Sequence, residues 1–237
     1  MPNFLRLLLG LAMIPACWGV SRAAIDSLIA LTGADGWLSP EAIAFCGGLA
    51  AFVLCWMTVS HPVRTYVLGH ELTHALWGLA FGALPSNLRV GESGGSVRLT
   101  KSNLLITLAP YFFPFYTFVV IVVALITSAF VRPLPWLPLW MFMIGFTWAF
   151  HVLFTLETLT HRQPDVALYG RVFSWTLIYL ANVLLVLLWL ALTTRLTFFQ
   201  LGDFLGHRLA DTYVGLWTAA CWGVGALRNL FGSGGNG

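Results

Sequence analysis

The chain has 237 residues, 59% of them hydrophobic and 9% charged, with a formal net charge of +3. Soluble domains run at roughly 45–50% and about 25%, so composition excludes an ordinary soluble globular protein. A charge this small and this scattered excludes a nucleic-acid-binding surface. The length suits one domain, and the four cysteines, all in apolar segments, read as small buried hydrophobes rather than as a disulfide framework.

A bilayer span needs about 20 mostly apolar residues, and six segments qualify or nearly do. The first is 4–30, interrupted by Arg22 and Asp26, which stand one helical turn apart and could pair with each other. Its apolar character continues past Pro15-Ala16-Cys17, which predicts an uncleaved span rather than a cleaved signal peptide. Turn residues Gly33, Asp35 and Gly36 precede the second span, 42–59, and Ser60-His61-Pro62 breaks the chain before the third, 63–84.

Residues 85–103 are the most polar stretch. Asn87-Leu88-Arg89-Val90 and Ser96-Val97-Arg98-Leu99-Thr100 alternate with period two about a glycine-rich centre, 91–95. That pattern predicts a β-hairpin over an ordinary solvated loop. The fourth span, 104–131, is uncharged, and Pro110 and Pro114 predict a break or kink near its start. The fifth, 134–159, runs into His161-Arg162-Gln163-Pro164-Asp165, and the sixth, 172–194, is apolar and free of charge. The tail 196–231, with Trp217 and Trp222, is amphipathic and reads as an interfacial helix or a weak seventh span; 232–237 is a flexible end. The expected fold class is therefore all-α integral membrane. It is a single domain of about six transmembrane helices, with a short membrane-associated β-hairpin after the third.

The third span carries His70-Glu71-Leu72-Thr73-His74. Residues four apart share a helix face, so His70 and His74 can offer two imidazole nitrogens to one divalent metal while Glu71 stands beside it as a general base. Paired histidines merely bonded to backbone carbonyls are the bland alternative, but ionisable groups are costly in a membrane helix and point to a functional site. Two imidazoles leave zinc one protein ligand short of the usual three. Asp165 is the first candidate, because Pro164 stops the fifth helix from continuing smoothly and can turn the segment inward. His161 is the second candidate, and His151 and Glu157 on the fifth span are candidates to support the ligands. Asp165 could instead cap a helix or pair with Arg162 or Arg171.

From 63 to 170 the order of these elements resembles the site-2 protease family of intramembrane zinc metalloproteases. His70-Glu71-Leu72-Thr73-His74 matches its H-E-x-x-H helix, 87–100 its membrane-dipping hairpin, Leu108-Ala109-Pro110-Tyr111 its Gly-Pro turn, and Gln163-Pro164-Asp165 its Asp-Gly motif. The chain departs from the pattern in having Ala109 at the turn glycine and Val166 after the aspartate, and no PDZ-like insertion is visible. The resemblance implies a minimal member with a core at 62–170 flanked by 1–60 and 171–195. Zn²⁺ would be held by His70, His74 and Asp165, with Glu71 catalytic. The substrate would be a membrane protein or peptide cleaved in or near the bilayer.

Arg89, Arg98, Lys101, Arg162 and Arg171 are placed on the side of the Asp165 loop, and Arg6, Arg64 and Arg132 on the other. The positive-inside rule then leans towards a site facing the cytoplasm of a bacterial inner or other plasma membrane. The expected partners are the lipid bilayer and a protein substrate, not nucleic acid. The competing reading is a zinc-binding polytopic membrane protein without protease activity, either a transporter or an inactive protease relative. Sparse polar residues on the other spans argue against a transporter, and the presence of Glu71 against an inactive relative.

Overall fold

The computed structural model describes residues 3–32, 39–59, 61–92 and 94–232. The turn expected at 33–36, Ser60 of the break and the flexible end at 233–237 lie outside the described residues. In chain order the helices are α1 (Asn3–Thr32), α2 (Pro40–Thr58) and α3 (Val63–Ala80), followed by strands β1 (Pro85–Gly91) and β2 (Gly94–Leu99). Then come α4 (Leu104–Leu108), a 3₁₀ turn (Ala109–Tyr111), α5 (Phe115–Phe130), α6 (Leu137–Thr160), α7 (Pro164–Tyr169), α8 (Arg171–Thr193) and α9 (Phe198–Gly232).

Local chemistry sets the helix starts. Ser39 caps α2 by accepting from the Ala42 amide at 3.1 Å, with Pro40 at the first helical position. Asn103 caps α4 through the Ile106 amide at 2.9 Å. The fourth apolar segment breaks where its prolines predict: α4 with its 3₁₀ turn meets α5 at 86°. The hairpin is also as expected. Its strands are antiparallel, with Arg89 opposite Ser96 and Gly91 opposite Gly94, and an irregularity falls between Ser86 and Arg89.

Among the described residues, four helices (α1, α2, α6 and α8) are long and apolar enough to cross a membrane, or five if the bent α4–α5 pair counts as one span. This is short of the six expected from the sequence, and the missing one is α3. That helix ends at Ala80 rather than continuing to 84, and its 18 residues include Arg64, His70, Glu71 and His74. At about 1.5 Å per residue it is roughly 27 Å long, just under the apolar thickness of a bilayer.

Two helix groups flank α3. On one side α2 and α6 approach so closely that a Cβ on Gly48 would strike the Phe142 carbonyl oxygen, and one on Gly145 the Phe45 carbonyl oxygen. Phe52, Ala149, Phe150 and Phe154 extend this contact. On the other side α1 lies against α8, with the Gly10 backbone at the Phe173 backbone, and α9 crosses α1. The tail is therefore one continuous 35-residue helix docked on α1. It is anchored by Arg208, which grips both carboxylate oxygens of Asp26, and by Tyr213, whose hydroxyl donates to the Ala12 carbonyl at 2.9 Å.

Three expectations change here. Asp26 is claimed by Arg208, not by Arg22, because a two-pronged guanidinium contact outcompetes a neighbour one turn away. Arg6 donates to the Leu168 carbonyl at 2.8 Å and lies over the Tyr169 ring, which puts it at the same end as α7 and not at the opposite one. Cys46, Cys55 and Cys221 face outward, while Cys17 is half-buried.

Candidate metal centre

The site is assembled on α3, the element that touches the hairpin, α4, the 3₁₀ turn and α5. Helical spacing stacks His70 and His74 on one face, with ring centroids 4.9 Å apart. Their Nε2 atoms both aim at Asp165 Oδ2, at 3.7 Å from His70 and 3.5 Å from His74. Those separations are too long for good hydrogen bonds, which fall at about 2.7–3.2 Å. They suit ligands around a shared ion: tetrahedral bonds of about 2.0–2.2 Å space the donor atoms roughly 3.3–3.6 Å apart. All three donor atoms lie within 4.8 Å of one another, and this is the metal-capable cluster found among the described residues.

Two of the three donors are held from behind. His74 Nδ1 is 2.9 Å from the Ile106 carbonyl oxygen. In a regular helix that carbonyl would accept from the amide of residue 110, but residue 110 is proline and has none. Pro110 thus does two things: it bends the span, and it frees the carbonyl that orients His74. Asp165 sits in the first turn of α7 directly after Pro164, and it is pinned by its neighbour Val166. Val166 is buried against Leu108, Ala109, Phe112 and Ile178, and its carbonyl accepts from Ser174 at 3.0 Å. A glycine after the aspartate could not supply that anchor. Gly170, at φ +92°, then turns the chain from α7 into α8, a backbone region that favours glycine.

Burial alone would push the Asp165 carboxyl up, but the His70 and His74 imidazoles hold it well below the usual carboxylate range. The Tyr111 hydroxyl adds a hydrogen bond to Oδ2 at 3.3 Å.

Glu71 is buried, at 7% exposure, beneath β2. A Cβ on Gly95 would come within 2.8 Å of Glu71 Cγ and 2.6 Å of Val67 Cγ1, so only a glycine lets the strand lie this close. His70, Glu71, His74 and Asp165 line a cleft of about 880 Å³, walled by β2 on one side and by Phe154, Glu157 and Thr158 of α6 on another. The arrangement can hold one divalent cation by three protein donors, leave a position open towards the cleft, and keep a carboxylate beside it.

His161 lines the same cleft, but it is exposed at the end of α6 and stands outside the donor cluster. Glu157 faces His61 at 3.8 Å rather than the ligands. His151 is buried in α6. Three contributors were not singled out from the sequence: Tyr111, the Ile106 carbonyl and Asn182, whose amide donates to the Tyr111 carbonyl at 2.9 Å. Of these only Asn182, a lone amide in an otherwise apolar span, carried a signal that could have been read. No family model, curated protein or solved structure matches this chain.

Proposed function

We propose that this protein is an intramembrane zinc metalloprotease of the site-2 type, hydrolysing peptide bonds of membrane proteins in or near the bilayer. The observation that carries the reading is the convergence of His70 Nε2, His74 Nε2 and Asp165 Oδ2 on one point beside the buried Glu71. Two imidazoles and a carboxylate suit zinc better than magnesium or calcium. When bound there, zinc would supply Lewis-acid polarisation of water and of the scissile carbonyl. Glu71 would accept the proton of the attacking water and return it to the leaving amine. Tyr111 and the Ile106 carbonyl would keep Asp165 and His74 in place through the cycle.

A helical substrate hides its carbonyls in its own hydrogen bonds, so it has to be unwound. The free edge of β2, along the wall of the cleft, would hold it as an added strand. In this reading α3 is the sixth membrane helix, shielded from lipid by the helices on either side of it. Moving Arg6 to the α7 end adds to the positive charge there, alongside Arg162 and Arg171, and favours a cytoplasm-facing site.

Purified wild type is expected to carry one zinc per chain and His74→Ala none. Glu71→Gln should keep its zinc but cleave a membrane-embedded reporter peptide about 10²- to 10⁴-fold more slowly. Full metal content in His74→Ala would sink the centre. Stoichiometric zinc in a wild type that cleaves nothing would instead favour a zinc-binding membrane protein without protease activity.

A further inference from the structure

A metal-bound histidine almost always donates its other ring N–H to a partner that fixes its orientation. His74 has the Ile106 carbonyl. His70 has none of that kind: its Nδ1 is buried and, among the described residues, lacks a hydrogen-bond partner. The same is true of Nε2 of His151, on the neighbouring helix α6. Native structures rarely leave such groups unsatisfied.

Contacts around the two rings bring them to the same place. Phe154, one turn along from His151, stacks on Tyr66 at 4.8 Å, and the Tyr66 ring abuts that of His70 at 5.8 Å. On the other side, Asn182 holds the Tyr111 carbonyl, and the Tyr111 ring lies 5.3 Å from that of His70. Thr155 Oγ1, one turn along α6 from His151, is likewise buried without a partner among the described residues. Together these atoms make a polar seam between α3 and α6.

The proton positions along the seam follow from the chemistry of the rings. A neutral imidazole carries one proton, and with that proton on Nδ1 of His151 its unpartnered Nε2 is a bare lone pair. His70, with Nε2 turned to the metal point, carries its proton on Nδ1. One orphan is a donor and the other an acceptor.

We infer that His151 is a positioning residue for His70: one buried water between the two orphan nitrogens accepts the His70 Nδ1–H and donates to His151 Nε2. The inference rests on the metal centre proposed above. This relay fixes the tautomer of His70.

The test uses the full chain in detergent, titrated with zinc and with cobalt as a spectroscopic probe. His151→Leu removes both ends of the link and should weaken zinc binding by about 10- to 100-fold and shift the cobalt absorption bands. His151→Gln keeps a donor and an acceptor and should recover most of the affinity, which a merely structural role would not require. If wild type binds zinc and His151→Leu binds it equally tightly with an unchanged cobalt spectrum, this inference fails and the centre stands. If wild type binds no zinc, the centre fails and takes the inference with it. A variant that does not fold leaves the wild type to decide: nitrogen NMR of histidine-labelled zinc protein should find His151 protonated on Nδ1. A proton on Nε2 would overturn the relay.

Discussion

Two places in this molecule set half-buried aspartates among apolar helices, and they are built in opposite ways. Asp26 meets Arg208 through both of its oxygens, so the pair satisfies itself and holds α9 to α1. Asp165 faces two imidazole nitrogens at 3.5 and 3.7 Å, a geometry in which three electron-pair donors are aimed at one point without closing on each other. The first arrangement is complete as it stands. The second would be completed by the cation proposed above. A charge that has its partner serves the architecture, whereas donors held short of pairing are what the proposed metal centre requires.

The sharpest way to break that comparison is to remove each carboxylate in turn. Asp165→Ala is expected to abolish stoichiometric zinc and lower reporter cleavage by at least about 10³-fold, on the scale at which catalytic groups matter. Asp26→Asn should leave the zinc content at wild-type level and lower the unfolding temperature, with Arg208→Leu recovering part of the loss in the double variant. Equal zinc contents in the two single variants would erase the distinction between the sites.

A smaller effect is expected from Gly95→Ala. The added methyl meets Glu71 and Val67, so β2 must lift. Cleavage should fall by up to about 10²-fold at unchanged zinc affinity, since small displacements of a positioned group are costly. Tyr111→Phe removes only the hydroxyl that bonds Asp165. Zinc affinity, read by competition with a chelator, should drop about tenfold, the low end for partners of metal ligands. Smallest of all is Arg64→Ala, which breaks the 3.1 Å pair with Glu92 at the hairpin tip. Both side chains there are more than 70% exposed, so unfolding should shift by less than about 1 kcal/mol.

The local signals in the chain were readable, and the distant pairings were not. The hairpin followed from period-two alternation about glycines, the 86° bend from Pro110 and Pro114, and the inward turn of Asp165 from Pro164. Each is a backbone rule acting within a few residues. Arg208 lies 182 residues from Asp26, and nothing local favours it over Arg22. Only the docking of α9 brings the two together. Arg6 was misplaced for the same reason, because the close approach of Gly10 to Phe173 decides which end of α1 meets α7. Pro110 shows the limit from the other side. Its bend could be foreseen, but the use made of the carbonyl it frees depends on His74 being next to it.

The contact between α2 and α6 has a mechanical consequence. Where Gly48 and Gly145 bring one backbone against the other, there are no side chains to act as rollers, and sliding would drive carbonyl oxygens into the facing helix. The two helices therefore behave as a single beam, and that beam carries α7 and Asp165 at its end. In the proposed function, the motion that admits a substrate would come from the thin wall of the cleft, where β2 rests on α3 at Gly95 and through Leu99 on Gly78. A covalent crosslink between α2 and α6 should then leave cleavage intact, while one between the hairpin and α3 should stop it; the reverse result would place the moving part in the helices.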